Sequence, residues 1–341
     1  MAVSWTGSHP AHPPRLLLVS SEDASTSTFQ EYLTSLSARK RLARIVVDEV
    51  HLYLGLSEFR KGFRGVLSLM AAHEVPHLFL TATLPPHLEL SLCHELGVKV
   101  PTVRGDSHRK NLAWSVTTTR GTSDMRQAAV RMTEERIREY EREERAIIFV
   151  MGRSGPGTLK EMFEQTGGVG IYHSDLSGTE KDEAVRKWRE GGTTVMIATS
   201  GFGLGLDYPR VRDVVIVGAT YSMMDLAQLG GRGGRDPTTQ ARITVVTCNG
   251  YLSGIEEGGD PAFEKVKAWI VDDTSCRRQV LETYLDGKPA PCCVLAAATP
   301  CDICESKAAA IVVFSAPHAQ PVFRFSFSAC YCSSSSLTCR V

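Results

Sequence analysis

The sequence contains no G-x-x-x-x-G-K-[ST] segment, so these 341 residues offer no glycine-rich phosphate cradle of that type. It also lacks a net charge. Thirty-eight basic residues balance 38 acidic ones, no global field steers the chain to a polyanion, and nucleic-acid contacts would have to come from local patches. No apolar run approaches the ~18 residues of a membrane span, and MAVSWTGSHPAHPP at the start lacks the charged-then-apolar order of a secretory signal. An intracellular protein with no membrane partner is expected. The ten histidines have no metal-ligand spacing.

What is present is an ordinary globular composition, 43% hydrophobic and 22% charged, in a chain long enough for two or three domains. Apolar runs LLLV (16–19), IVV (45–47) and LFLT (78–81) alternate with segments of helical period, the rhythm of a parallel α/β sheet. A second cycle begins near Asn111, with strands expected at 114–118, 146–150, 194–199, 213–217 and 243–247. The charged stretch 124–145 reads as one solvated helix. The expected division is a short first α/β lobe over 1–105, a second over 106–250, and a small helical, cysteine-bearing module over 251–305. A disordered, Ser-rich tail is expected over 306–341, where Cys330, Cys332 and Cys339 lack metal spacing.

Three blocks bear chemistry. IVVDEVH (45–51) sets Asp48 and Glu49 after a buried-type strand, at the edge where open α/β sheets meet ligands. Asp48 there can hold magnesium through water while Glu49 orients or deprotonates an attacking water, although an Asp-Glu pair after a strand also serves as a helix N-cap. LTATLPP (80–86) follows about thirty residues later. Thr81 or Thr83 caps a turn enforced by Pro85 and Pro86, or relays between a nucleotide site and a nucleic-acid track. QLGGRGGRD (228–236) joins a glycine turn to Arg232 and Arg235, guanidinium groups able to neutralise charge on a departing phosphate. RKRLAR (39–44) and the basic residues of 104–110 are short patches of the solvated kind. Cys276, Cys292, Cys293, Cys301 and Cys304 offer a Cys-x-x-Cys knuckle plus two more distant thiolates, a set that suits tetrahedral zinc. The third ligand is Cys292 or Cys293, and spacing slightly favours Cys293.

In this order the blocks resemble superfamily-2 helicases, specifically the RecQ-like DNA helicases, over roughly 15–305. IYHSDLSGTEKDEAVRKWREGG resembles the segment before motif V, ATSGFGLGLDYPRVRDVVIV motif V, QLGGRGGRD motif VI, and CRR…CDIC the zinc module. VSSEDASTSTFQEYL resembles a segment that follows the phosphate loop in the family, so the chain is expected to begin inside the first lobe. The resemblance implies two RecA-like lobes, the first incomplete, followed by a zinc module. It implies ATP-driven 3′–5′ unwinding of DNA, with ATP, magnesium and zinc as cofactors and, in a eukaryote, a nuclear location.

By the same resemblance Arg235 is the arginine finger with Arg232 beside it, and His51, Asp207 and Gln228 line the nucleotide cleft. Ser20, Glu22, Phe59, Arg60, Thr81, Thr83 and Thr199 follow DNA, and Cys276, Cys293, Cys301 and Cys304 hold zinc. The loop at 51–65 is about one residue shorter than the family's and lacks its Trp and second His. Two other readings remain: a non-catalytic DNA-binding or scaffolding remnant of such a helicase, and a DEVH-type RNA helicase.

Overall fold

The structure, a computed structural model, describes residues 2–10, 12–54, 57–151, 155–163, 168–203, 207–256 and 261–314, except for the side chains of 57–64, 203, 255–256 and 311–314. In the first lobe, β1 (Ala2–Ser4) pairs in parallel with β2 (Leu16–Leu18). Two capped helices follow. Ser20 Oγ accepts the Asp23 N–H at 3.0 Å to start α1 (Ser21–Ala24), and Thr26 does the same for Phe29 in α2 (Ser27–Ala38). Phe29 and Tyr32 on the buried face of α2 pack against Trp5, the Phe29 ring edge-on at 5.0 Å.

Next come β3 (Ile45–Val47), a 3₁₀ turn over Val50–Leu54, α3 (Ser57–Ala72), β4 (His77–Phe79) and α4 (Pro86–Leu96), which ends at Gly97 with φ +65°. β3 and β4 run parallel, with Ile45 opposite His77. The expected single sheet is not what forms: among the described residues the lobe holds two separate two-stranded sheets. Each covers a small core of its own, one around Trp5 and Phe29 and one around Val47, Val50 and Leu92.

The second lobe consists of β5 (Leu112–Thr119), α5 (Thr122–Ile137), β6 (Arg145–Val150), α6 (Gly155–Met162), β7 (Val169–Tyr172), α7 (Gly178–Glu190), β8 (Val195–Ala198), β9 (Val211–Val217), α8 (Met223–Gly230) and β10 (Ala241–Cys248). Its sheet is wholly parallel in the order β5-β10-β9-β6-β8-β7. Runs such as RAIIFV and VMIA are buried along their whole length because separate core clusters cover the two faces of the sheet. The stretch 124–145 is not one helix: α5 stops at Ile137, and Arg145 already belongs to β6. Tyr140, beyond the helix end, reaches back to the buried Asp213 carboxylate, which also binds Arg136 and Arg242.

After β10 the chain becomes helical, with α9 (Asn249–Glu256), α10 (Pro261–Val271), α11 (Arg277–Asp286) and α12 (Asp302–Phe314). This module shares the core of the second lobe, Trp269 meeting Trp114 edge-on at 5.9 Å. Arg278 is 1% exposed and donates to the carbonyls of Arg109, Lys110, Leu112 and Thr299, so its charge is enclosed by backbone dipoles. The tail expected to be irregular from Ser306 is instead helical to Phe314. Cys330, Cys332 and Cys339 lie outside the described residues.

Candidate nucleotide cleft and metal centre

The end of β3 presents the acidic tetrad. Asp48 Oδ1 accepts the Glu49 N–H at 2.9 Å, and Glu49 adopts φ +50°, a left-handed conformation unusual for a residue with a Cβ. That turn directs the chain into the 3₁₀ segment and buries His51 to 4% exposure. Burial raises the Glu49 pKa, the neighbouring Asp48 raises it further, and the Arg232 guanidinium of the second lobe pulls it back. Arg232 therefore acts electrostatically on Glu49 from across the cleft. Arg235 is held on its own lobe, its Nη1 2.9 Å from Asp207 Oδ1.

His51 joins the two lobes. Its Nε2 lies 2.8 Å from Gln228 Nε2 on α8, and its Nδ1 lies 2.8 Å from Thr81 Oγ1 beyond β4. A Gln amide nitrogen can only donate, so Nε2 is the acceptor and Nδ1 bears the proton, donated to Thr81. The ring is then neutral, in keeping with burial that pushes its pKa down to about 4. Gln228 Nε2 also donates to Thr83 Oγ1 at 3.3 Å, and the Thr83 N–H donates to Thr81 Oγ1 at 3.3 Å. Five residues from three motifs of the sequence, Glu49, His51, Thr81, Thr83 and Gln228, thus form one contact network, with Glu49 Oε2 3.4 Å from His51 Nδ1.

The glycines of 230–234 are needed for close packing. A Cβ on Gly230 would sit 2.2 Å from the Trp114 ring, and Gly234 has φ +47° beside Asn111 and the Thr239 carbonyl. Two residues of the interlobe linker hold this loop, Arg109 from the basic stretch expected to be solvated and Asn111, to which the sequence assigns no role. Arg109 donates to the carbonyls of Gly231 and Gly234, and Asn111 Nδ2 donates to Gly234 and Thr239, both at 2.7 Å. The basic residues of 104–110 are accordingly not simply solvated: Arg104 donates to the Leu84 carbonyl and pairs with Glu89. Nothing in the spacing of these residues signals partners more than a hundred positions away.

Of the other expected contact residues, Ser20 is exposed and serves as a helix cap, and Glu22 is exposed in the first turn of α1. The hydroxyls of Thr81 and Thr83 are engaged in the interlobe network. Thr199 follows β8, half-buried, its N–H bonded to the Tyr172 carbonyl. The backbone of Phe59 and Arg60 lies in α3, and their side chains fall outside the described residues.

Asp48 and Glu49 fit a magnesium ion: two adjacent carboxylates, with the Glu49 Oε2 atom buried and without a hydrogen bond. Zinc also fits. The sulfurs of Cys276, Cys292, Cys301 and Cys304 lie within 4.8 Å of one another, with Cys276 to Cys292 at 3.5 Å and Cys276 to Cys301 at 3.9 Å. A tetrahedral Zn–S distance near 2.3 Å places sulfurs about 3.8 Å apart. The thiol contacts with Cys292 and Cys301 hold the Cys276 pKa far down, while Cys292 is driven up by its contact with Cys276. This corrects the expected ligand set: Cys292 is buried in the cluster, whereas Cys293, the next residue along, is exposed. The two cysteines occupy a turn closed by the Val294 N–H on the Pro291 carbonyl, and spacing from Cys276 cannot tell which of them the turn directs inward.

Residues 127–237 match the helicase conserved C-terminal domain. The chain is 25% identical over 326 residues to the ATP-dependent DNA helicase Q5 of Rattus norvegicus, covering 86% of this chain and 33% of that protein. It is 28% identical over 231 residues to the RecQ-like DNA helicase BLM of Xenopus laevis, covering 66% and 17%. With the ATP-dependent DNA helicase Q1 of Pongo abelii it shares 29% over 289 residues, covering 80% and 43%. The chain thus spans less than half the length of these relatives.

The fold resembles that of Mycobacterium smegmatis helicase Lhr bound to ssDNA and AMP-PNP, with TM-score 0.58, 19% identity, and coverage of 74% of this chain and 35% of that one. It also resembles the DUF1998 helicase MrfA bound to DNA, with TM-score 0.59, 16% identity, and coverage of 77% and 38%. With a match to the helicase conserved C-terminal domain at its centre and RecQ-type relatives aligned along most of its length, the chain is similar to the RecQ-like DNA helicases.

Proposed function

We propose that the chain supplies the carboxylate, arginine and DNA-facing parts of an ATP-dependent 3′–5′ DNA helicase. We propose further that these 341 residues alone turn over ATP only at background, because their sequence has no phosphate cradle. The observation behind this reading is the contact of Gln228 with His51 and Thr83, which ties motif VI to the acidic tetrad across 177 positions of sequence.

In this reading Glu49, its pKa raised by burial, orients or deprotonates the attacking water. Arg232, which acts on Glu49 from the second lobe, faces the charge developing on the phosphate, while Arg235 holds Asp207 beside it. Bound magnesium would neutralise phosphate charge at Asp48 and Glu49. His51 works as a neutral connector: a change at Glu49 reaches Gln228 and Thr81 through one ring, which couples the nucleotide side to the nucleic-acid side. Single-stranded DNA would cross both lobes, and the location is nuclear in a eukaryotic cell.

The experiment is DNA-stimulated ATP hydrolysis alongside binding of DNA and RNA by the purified chain. Background turnover with retained, DNA-preferring binding is the expected result. Turnover that disappears in Glu49→Gln and Arg232→Ala would instead show that the chain completes a hydrolytic site. Preference for RNA would remove the RecQ-type substrate assignment.

A further inference from the structure

Outside the cleft, the linker between the lobes meets α11 at an unusual contact. Ser107 Oγ lies 3.0 Å from Glu282 Oε2 and 2.9 Å from Asp286 Oδ2, and the Ser107 N–H donates to the same Asp286 Oδ2 at 2.9 Å. A serine hydroxyl has one proton, so it can donate to only one of two carboxyl oxygens. The other short contact needs a proton on the carboxyl side. Glu282 is the one to supply it, being 4% exposed and four residues from Asp286 on the same face of the helix. The arrangement is a relay: neutral Glu282 donates to Ser107 Oγ, and Ser107 Oγ–H and N–H both donate to Asp286.

We propose that Glu282 and Asp286 are positioning residues which, by sharing one proton around Ser107, latch the interlobe linker onto the zinc module and so fix the hinge between the lobes. The module is itself fastened to the second lobe. Arg278 binds linker and β5 carbonyls, Arg277 pairs with Asp302, and Asp302 accepts the Val116 N–H. Toward the first lobe, α11 contributes Tyr284, edge-on to His87 of α4 at 5.3 Å. A linker held at Ser107 therefore cannot swing without leaving α11.

Burial pushes the Glu282 pKa up to about 7; Asp286 adds to the rise, while the Ser107 hydrogen bond and Arg278 oppose it. These are the groups acting on Glu282. The charges of the other neighbouring helices bear on Tyr284 instead: Asp225 of α8 raises its pKa, and Lys265 of α10 stacks on its ring. An acid whose pKa is raised in the folded state favours the folded contact while protonated, so the latch weakens as pH rises from 4.5, the ordinary glutamate value, through about 7. The Gln amide in Glu282→Gln keeps a permanent donor in the place of the acid proton, and should hold the latch closed at every pH.

The test is hydrogen exchange at residues 97–111 of the full chain between pH 6 and 9, corrected for intrinsic rates, with zinc content as the check on folding. In the wild-type chain, linker exchange should rise about tenfold between pH 6 and 8 and then level off. Glu282→Gln should remain protected throughout, and Ser107→Ala should exchange fast at all pH values with zinc retained. Identical profiles for the wild-type chain and Glu282→Gln would overturn the shared proton. Unchanged protection in Ser107→Ala would overturn the latch. Neither readout depends on ATP turnover.

Discussion

All six residues of β6 in the second lobe are buried, while β3 and β4 of the first leave Val46 44% and Leu78 45% exposed. As sequence, IVV and AIIFV look alike. The difference lies in what covers them: β6 is a central strand with helices on both faces, whereas β3 and β4 form a two-stranded sheet whose outer edges pair with nothing among the described residues. Apolar strand residues stabilise a fold only to the extent that another layer removes them from water. A short apolar run therefore specifies a strand without specifying its stability.

The contrast can be broken hardest at the metal centre, because the module is part of the second lobe's own core. Structural zinc contributes about 10–16 kcal/mol of apparent binding free energy. Cys292→Ser should abolish stoichiometric zinc binding and lower the thermal midpoint of the second half, while Cys293→Ser should leave both unchanged. Metal content and calorimetry read the two variants side by side. Next in size, Ile148→Ala at a fully buried position should cost about 2–5 kcal/mol in urea unfolding. Leu78→Ala, nearly half exposed, should change stability by less than about 1 kcal/mol. Equal costs would mean that the first lobe is covered in solution.

The interlobe contact sharpens the comparison through pH. His51 titrates near 6.5 when free and at about 4 here, so the unfolded chain binds its proton first as the solution is acidified. Its contribution is complete above pH 6.5 and is lost as pH falls from 6.5 through about 4, on the order of 3 kcal/mol in all. The stability difference between the wild-type chain and His51→Gln should follow that window. Glu282 acts in the opposite sense and cancels in the difference. The smallest effect is expected at the first lobe's surface: Leu78→Lys should reduce self-association in sedimentation while hardly moving the unfolding midpoint, since a charge on an exposed strand opposes edge pairing.

Eight of the ten strands among the described residues are legible as apolar runs. β7 is not, because Gly170 interrupts the short pattern VGIY, and β1 is not, because its alternation spans only Ala2–Ser4. The acidic tetrad, the glycine-arginine block and the cysteine set were legible because their chemistry needs particular residue types at close spacing. The latch at Ser107, the carbonyl contacts of Arg109 and the partner of His51 were not. Each joins residues more than a hundred positions apart, and no local pattern encodes which distant groups tertiary packing will bring together.

The strand order of the second sheet also has a consequence in time. β5 is the first strand of this sheet to be made, yet among the described strands its neighbour is β10 alone, and the paired residues Ser115 and Thr244 stand 129 positions apart. At a synthesis rate of ~5–20 residues per second, the nascent β5 waits roughly 6 to 26 s for its partner to be made. During that interval Leu112 and Trp114, both buried in the folded sheet, remain uncovered by it. A ribosome-associated chaperone that engages extended apolar chain would meet this sheet first at β5.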